Sequence, residues 1–503
     1  MANEKIMLDE LKSFLWESAN ILRGSIDSGD FKTYIFALLF YKRLCDVWEE
    51  EYEKVKAVYG EEQALDPDEH RYNIPKDYFW NDIRKVSKNM GEALNKAFNK
   101  IEDLNPKLFG VFGGIDFADT NKFSDATIEK LLAHFDRKKL RNCDVEPDIL
   151  GNAYEYLIAQ FADDAGKKGG EFFTPKEVVR LIIDLIDPVE NNSVYDPACG
   201  SGGMLLECFK HLQSKGNNPK NLTMYGQEKN LNTWSICKIN MFLHDIESAF
   251  IERGDTLVDP KHLVNTGEGT RGALKTFDRV VANPPFSLKN WGEEVWKTGD
   301  PFGRDKYGVP PKSYGDLAFV QHMIASLNSR GKMGVVLPHG ILFRGGSEGN
   351  IRKGILEHDL IEAVVGLPQN LFFGTGIPAC VLIINKDKDN DRVGKVFFID
   401  GSSDFQDGKN QNILREQDIE KIVNAFDGYT DIDKFCRVVE LKEIKENDYN
   451  LNIKRYVDTS EEEVKIDVRE KVEELRALEL EYAEIEEKFS GYLKMLGYEG
   501  DEA

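Results

Sequence analysis

The chain has 503 residues, 41% of them hydrophobic and 30% charged, which is typical of a globular protein with two or three domains. No apolar run approaches the ~18 residues of a membrane-spanning helix, and no secretion signal opens the sequence, so we expect a cytoplasmic protein without membrane contact. A formal net charge of −23 disfavours a chain that grips nucleic acid alone, because neutralisation of phosphates dominates such affinity. Either the partner is not nucleic acid, or another subunit supplies the grip.

The seven cysteines are scattered along the chain and include no C-x-x-C pair. An odd number without paired spacing predicts neither a disulfide framework nor a zinc site, so no metal site is expected. The thiols are expected to be reduced.

Apolar residues recur at helical spacing from Leu8 to about Leu140, and no strand-turn-strand pattern interrupts them. We therefore predict a separate helical domain over residues 1–140. Two segments within it, residues 15–24 and 34–41, are typical of a packed helix pair rather than of a ligand site.

A predicted helix over residues 148–157 is followed by a glycine-rich break and then by the sequence Glu171-Phe172-Phe173-Thr174-Pro175-Lys176. Thr174 is placed to cap the next amphipathic helix, residues 178–186, and Pro175 suits the first turn of that helix. Capping does not account for two adjacent aromatic residues behind a glycine loop. These aromatics indicate a lid or wall over a small molecule.

A short strand that ends in Asp196 is followed at once by a glycine-rich turn, residues 197–203, and a helix. This order predicts a nucleotide-type pocket, because glycines let the backbone approach a ligand and the start of a helix offers free N–H groups. The turn is not a dinucleotide fingerprint, since counting from Gly200 places Leu205 where the final glycine is required, and no phosphate-loop lysine follows. The carboxylate of Asp196 suits a ligand with a positive charge instead.

Two further predicted strands also end near acids. The second ends at Glu228, a position that normally holds ribose hydroxyls, although a solvated surface carboxylate is the alternative. The third is followed by Asp255, which can accept a hydrogen bond from an adenine amine. Acids at three successive strand ends predict polar contacts to an adenosine.

The tetrapeptide Asn283-Pro284-Pro285-Phe286 leaves a short buried strand, residues 277–282, with little conformational freedom. The side-chain oxygen of Asn283 and the carbonyl of Pro284 can accept hydrogen bonds from an exocyclic amine, and Phe286 can stack on a base. The alternative is that Asn-Pro-Pro is only a turn. Ligands bind at the carboxyl ends of strands in open α/β sheets, which favours a clamp for an amino-bearing base.

Strand and helix patterns continue after this clamp, with strands expected near residues 332–337, 360–365, 379–384 and 396–399. They complete a doubly wound, Rossmann-like α/β sheet of about seven strands. His339, alone in its loop, is interpreted as structural.

The ordered motifs resemble those of the S-adenosylmethionine-dependent amino-methyltransferases of DNA: Phe172 to Pro175, Asp196 to Gly203, Glu228, Gly254-Asp255 and Asn283 to Phe286. Three flanking features look like the modification subunit of type I restriction-modification systems: the helical amino-terminal domain, Asp148 to Leu157, and Asn450 to Tyr456. The resemblance spans nearly the whole chain. It implies a methyltransferase domain over residues 145–458 and a helical subunit-contact tail over residues 459–503.

For the cofactor, S-adenosyl-L-methionine, the resemblance implies that residues 171–176 and the glycine turn surround the methionine end, Glu228 the ribose and Asp255 the adenine. The implied cofactor-binding residues are Glu171, Phe172, Phe173, Thr174, Pro175, Lys176, Asp196, Cys199, Gly200, Ser201, Gly202, Gly203, Glu228 and Asp255. The implied catalytic residues, which hold the target base, are Asn283, Pro284, Pro285 and Phe286.

The implied reaction is direct transfer of a methyl group to adenine N6 in double-stranded DNA, with the adenine flipped out of the duplex. A cytosine-C5 enzyme is disfavoured, because its nucleophilic cysteine follows a proline whereas Cys199 follows Ala198. Two alternatives stay open. One is a protein-glutamine methyltransferase, which usually has tyrosine where this chain has Phe286; the other is a non-catalytic scaffold that retains the cofactor fold.

No large basic target-recognition region follows the clamp, so the DNA sequence is expected to be read by another chain. The resemblance implies two modification subunits per specificity subunit, with a restriction subunit in the full complex. The Gly-, Pro- and Trp-rich loop 289–311 is interpreted as a DNA-side segment that orders on binding. In the tail, apolar residues from Val468 to Leu496 recur at spacings of three and four, which favours docking on another chain over packing on its own domain.

Overall fold

The computed structural model describes residues 5–23, 26, 28–165, 174–267, 272–372, 376–409, 411–459 and 468–498. The chain divides into two compact units, residues 1–458 and 459–503. The domain boundary expected near residue 140 lies inside the first unit and stays a prediction.

The first part of the chain is helical, as the apolar periodicity predicts. Its helices are α1 (Leu8–Leu22), α2 (Ser28–Tyr59), α3 (Glu61–Ala64), α4 (Trp80–Ile83), α5 (Met90–Leu104), α6 (Asp125–Phe135) and α7 (Pro147–Ala165). The apolar run 34–41 of α2 is buried throughout and belongs to their shared core. The prediction of a packed helical region is therefore confirmed.

A nine-stranded sheet follows within the described residues. Its strands in chain order are β1 (Ser193–Asp196), β2 (Thr223–Glu228), β3 (Phe250–Arg253), β6 (Phe277–Ala282), β7 (Leu327–Pro338), β8 (Ile361–Gly366), β9 (Ala379–Asn385), β10 (Lys395–Asp400) and β11 (Cys436–Glu440), while β4 (Leu263–Val264) and β5 (Ala273–Leu274) form a separate antiparallel pair. The spatial order is β11-β10-β8-β9-β7-β6-β1-β2-β3.

The half of the sheet from β7 to β3 is parallel, whereas β9 runs antiparallel to β7 and β8, and β11 antiparallel to β10. The expected count of about seven strands is too low. The charged residues Arg437 and Glu440 interrupt the apolar pattern of β11, so its sequence does not show the period of a buried strand.

Helices cover both faces of the sheet, which confirms the doubly wound α/β class. The remaining helices of the first unit are α8 (Lys176–Ile186), α9 (Gly203–Ser214), α10 (Leu231–Leu243), α11 (Glu293–Lys297), α12 (Asp316–Ala325), α13 (Gly346–Glu357), α14 (Glu416–Gly428) and α15 (Leu441–Glu446), and α16 (Val468–Met495) belongs to the second unit. One core contains α8, α9 and α14, and the core on the other face contains α12 and α13.

Helix α10 joins the helical part of the chain to the sheet. Its residues Ile236, Ile239 and Leu243 pack in the helical core, whereas Cys237 and Met241 pack in the core that covers the sheet. This two-sided burial explains a helix that is apolar around most of its circumference.

Candidate active site

Strands β1 and β6 are parallel neighbours, so the residues that follow them lie side by side at the carboxyl edge of the sheet. Asp196 and Asn283 line one cleft there. Its other lining residues come mainly from α7 to α10 and the glycine turn: Glu155, Ile158, Thr174, Lys176, Val179, Ala198, Cys199, Gly200, Ser201, Gly203, Met204, Glu207, Lys210 and Asn240.

Asn283, at the end of β6, is held through its side-chain nitrogen. Its Nδ2 donates a hydrogen bond to the hydroxyl oxygen of Thr174, 2.8 Å away. Its Oδ1 is buried and has no hydrogen-bond partner among the described residues. Because an unsatisfied buried acceptor costs about 1–3 kcal/mol, this oxygen is prepared to accept a hydrogen bond from a donor that enters the cleft.

The expectation that Thr174 caps the following helix is wrong, as is the place of Pro175 in its first turn. Helix α8 begins at Lys176 with Pro175 as its N-cap residue, and no side-chain hydrogen bond caps it. The Thr174 hydroxyl accepts from Asn283 instead, because the fold brings the end of β6 within its reach.

The remainder of the clamp is braced by neighbouring elements. Of its two prolines, the first is buried and the second exposed. The Phe286 ring lies 5.7 Å from the Phe372 ring at an interplanar angle of 66°. Behind it, the N–H of Ser287 donates to the buried carboxylate of Asp316 at 2.8 Å. These contacts hold Phe286 at the sheet edge next to Asn283.

Left-handed backbone shapes the glycine turn, in which Gly200 and Gly202 have φ of 54° and 85°. A Cβ at Gly202 would lie 2.7 Å from the Cε of Met241 and 2.9 Å from the Sγ of Cys237. Only glycine therefore fits between the turn and α10. Cys199 is buried, with its Sγ 3.9 Å from that of Cys237, so its thiol belongs to the packing of the turn.

Asp196 is the strand-end acid that reaches the cleft directly. Its side chain is buried, and this burial raises its pKa to about 8, with the nearby charge of Glu228 adding to the rise. A cation in the cleft would favour the ionised form of this carboxyl.

Glu228 and Asp255 lie outside the cleft lining. The carboxylate of Glu228 accepts from the N–H of Gly200 at 3.0 Å and from the N–H of Asn230 at 2.8 Å, so it fixes the glycine turn. Asp255 forms an ion pair with Lys229 at 2.7 Å. The structure thus brings Asp196 and the glycine turn together in the cleft. Glu228 and Asp255 lie at the ends of the neighbouring strands, outside the cleft lining.

Four polar residues outside the expected cofactor-binding and clamp motifs also line the cleft: Glu155, Glu207, Lys210 and Asn240. Lys210 forms an ion pair with Glu155 at 2.7 Å. Glu207 and Lys210 stand one helical turn apart directly after the glycine turn, which is a usable signal. The sequence alone does not show which face of α9 borders the cleft.

Three of the residues expected to bind the cofactor, Glu171, Phe172 and Phe173, lie outside the described residues. The aromatic wall in front of the pocket therefore stays a prediction.

The segment 289–311 is packed, contrary to the expectation of a loop that orders on binding. Trp291 and Trp296 are 2% and 1% exposed and form a small core with Leu257 and with Phe319 of α12. The glycines and prolines of the segment are typical of a loop without fixed packing. The indole rings of Trp291 and Trp296 nevertheless pack on apolar residues of distant elements. Its position facing DNA stays a prediction.

Two family models match the chain: N-6 DNA Methylase over residues 145–465 and the HsdM N-terminal domain over residues 11–135. The chain is 37% identical to the type I restriction enzyme MjaVII methylase subunit of Methanocaldococcus jannaschii, over 97% of this chain and 84% of that protein. It is 36% identical to the HindI methylase subunit of Haemophilus influenzae, over 82% of this chain and 93% of that protein. The chain belongs to the family of type I restriction enzyme methylase subunits.

This membership confirms the resemblance drawn from the ordered motifs. A crystal structure of a type I restriction-modification methyltransferase subunit from Streptococcus thermophilus matches this methylase-family chain with a TM-score of 0.78 at 37% identity, over 90% of this chain and all of that one. No helix in the described ranges combines the length and apolar character needed to cross a lipid bilayer.

Proposed function

We propose that this chain transfers a methyl group from S-adenosyl-L-methionine to N6 of adenine in double-stranded DNA, as the modification subunit of a type I restriction-modification system. The observation that carries the proposal is the Oδ1 of Asn283, which is buried without a partner among the described residues. It lines the same cleft as the glycine turn, so a bound amine and a bound cofactor would meet there.

The donor and acceptor set of the cleft fits this cofactor. Three carboxyl groups line it against two lysines: Glu155, Asp196 and Glu207 against Lys176 and Lys210. An excess of acid suits a ligand with a net positive charge. When bound, S-adenosylmethionine supplies an electrophilic methyl group on a positively charged sulfur. Asp196 and the glycine turn would hold it in the cleft, while Glu228 acts on the turn and the ribose.

The clamp residues would hold and activate the target base. Asn283 Oδ1 and the Pro284 carbonyl accept hydrogen bonds from the exocyclic amine, which leaves electron density on its nitrogen for attack. Phe286 stacks on the flipped base, and its own contact with Phe372 limits the motion of the ring. The hydrogen bond from Asn283 to Thr174 fixes which amide atom faces the amine.

The DNA sequence would be read by a separate specificity subunit, with two modification subunits per specificity subunit and a restriction subunit in the full complex. The net charge of −23 supports this division, because an acidic chain gains little from phosphate neutralisation. The proposed location is the cytoplasm.

The substitution Asn283→Ala tests the proposal in the complex with its specificity subunit. We expect loss of N6-methyladenine formation by about a hundredfold or more, because the amine loses one of its two acceptors, with unchanged binding of S-adenosylmethionine. Mass spectrometry of DNA digests and calorimetry are the measurements. Asn328→Ala is the matched control. Asn328 is a half-buried asparagine at the start of β7, and its side-chain nitrogen donates a hydrogen bond to the Asp278 carboxylate.

Two outcomes would replace the proposal. Methylation of a glutamine in a release-factor protein, with none in DNA, would identify a protein-glutamine methyltransferase. Cofactor binding by a complex that methylates no DNA would identify a non-catalytic scaffold.

A further inference from the structure

Asn240 of α10 places a second amide oxygen without a partner in the cleft. Its side chain is 1% exposed, and its Nδ2 donates to the carbonyl of Ser201 at 3.0 Å, which fixes the orientation of the amide. Its Oδ1 is buried and finds no hydrogen-bond partner in the described part of the chain. Asn240 Oδ1 therefore lies next to the glycine turn as a hydrogen-bond acceptor that a donor of a bound ligand can satisfy.

Glu207 of α9 brings a carboxylate to the same cleft. Burial raises the pKa of this carboxyl, and the charge of Lys210 opposes the rise. Lys210 is already engaged, since its ammonium lies 2.7 Å from Glu155 and 3.2 Å from the side-chain oxygen of Asn152. Glu207 itself forms no ion pair or hydrogen bond within the described ranges. The cleft therefore has two hydrogen-bond acceptors without a partner, Asn240 Oδ1 and the Glu207 carboxylate, within the described ranges. The ammonium of Lys210 is already paired.

We propose that the Asn240 side-chain oxygen and the Glu207 carboxylate bind the α-ammonium group at the amino-acid end of the cofactor. An ammonium carries three N–H donors and no acceptor, so it can satisfy both groups at once. The sulfonium sulfur has no N–H or O–H and cannot satisfy Asn240. This inference rests on the proposed function and adds the residues that distinguish the amino-acid end from the adenosine end.

Binding of two thioether ligands to the full-length chain distinguishes contacts to the amino-acid end from contacts to the adenosine end. S-adenosylhomocysteine has the amino-acid end, and 5′-methylthioadenosine lacks it. We expect Glu207→Gln to weaken S-adenosylhomocysteine about tenfold, because a charge-assisted hydrogen bond is lost, and to leave 5′-methylthioadenosine unchanged. Asn240→Ala is expected to act in the same direction. Glu420→Gln removes an equal charge from the exposed face of α14 and is the control.

Each result decides the inference. Equal weakening of both ligands would show that Glu207 and Asn240 only shape the turn, and unchanged binding of S-adenosylhomocysteine would show that the ammonium lies elsewhere; both overturn the inference alone. Failure of the unsubstituted chain to bind either ligand would overturn the proposed function as well. Glu207→Gln is nearly isosteric and half-buried, so it decides the matter even if Asn240→Ala does not fold.

Discussion

Burial at the end of β1 raises the pKa of Asp196 to about 8, whereas an unfolded aspartate titrates near pH ~4. Between these values the native state holds a proton that the unfolded state releases, so the contribution of Asp196 to the free energy of unfolding falls as pH rises. The buried carboxyl therefore lowers the stability of the fold at neutral and mildly alkaline pH.

Asp196→Asn should remove this dependence. The free energy of unfolding of the variant, relative to the unsubstituted chain, is expected to increase between pH 5 and pH 8 by up to about 1.4 kcal/mol per pH unit. Urea unfolding at several pH values measures the difference, with Glu420→Gln as a surface control. A difference that stays constant with pH would show that Asp196 is ionised in the native state throughout.

The segment 289–311 braces the carboxyl edge of the sheet through Arg304. The buried guanidinium pairs with Asp300 at 2.6 Å and donates to the carbonyls of Thr256 and Leu257 at 2.9 and 3.0 Å. The Thr256 hydroxyl donates to the carbonyl of Pro197 at 2.6 Å. One arginine thus joins the segment after the clamp, the loop after β3 and the start of the glycine turn.

Arg304→Met should cost about 3–5 kcal/mol of unfolding free energy, because Asp300 is left as a buried charge without its partner. Weaker binding of S-adenosylhomocysteine should accompany it, since Thr256 and Pro197 lose their support. Arg330→Met, at an exposed arginine of β7, is the matched control in urea unfolding and calorimetry. The double variant with Asp300→Asn should recover part of the lost stability, and no recovery would contradict the role of the ion pair.

Residues 459–503 form a compact unit of their own, and the helix α16 contains most of its described residues. Its apolar side chains are exposed and follow the predicted spacing, among them Val472, Leu475, Leu478, Tyr482, Ile485 and Phe489. A single helix has no second element of its own unit to cover this stripe among the described residues. Docking on another chain stays the preferred interpretation.

Deletion of residues 461–503 should leave cofactor binding intact and abolish both assembly with the specificity subunit and DNA methylation. Co-purification and calorimetry on the same preparation measure the two effects. Leu478→Asp should weaken assembly in the full-length chain, and the adjacent Glu479→Gln, which leaves the stripe intact, is its control. A truncated protein that still co-purifies at full stoichiometry would refute this role of the tail.

The order of strands with acidic ends, the glycine turn and the clamp after β6 could all be predicted from the amino-acid sequence. These features can be predicted because each depends on residues close together in the sequence. The causes are the period of a strand, the glycines of a turn and the restricted backbone of proline. The helical first part followed from the same local periodicity. The order of the motifs along nearly the whole chain indicated the family. The family-model match and the similarity to type I methylase subunits confirm it.

Contacts between groups that are far apart in the sequence could be assigned only from the folded chain. The Thr174 hydroxyl accepts a hydrogen bond from the Asn283 side-chain nitrogen and does not cap a helix. Asn240 and Glu207 reach the cleft from helices whose local patterns show only amphipathic or buried faces. Trp291 and Trp296 are buried although the glycines and prolines around them are typical of a loop. These outcomes depend on contacts between segments far apart in the chain, and a side chain that can serve a local role takes whichever partner the fold brings within hydrogen-bond or van der Waals distance.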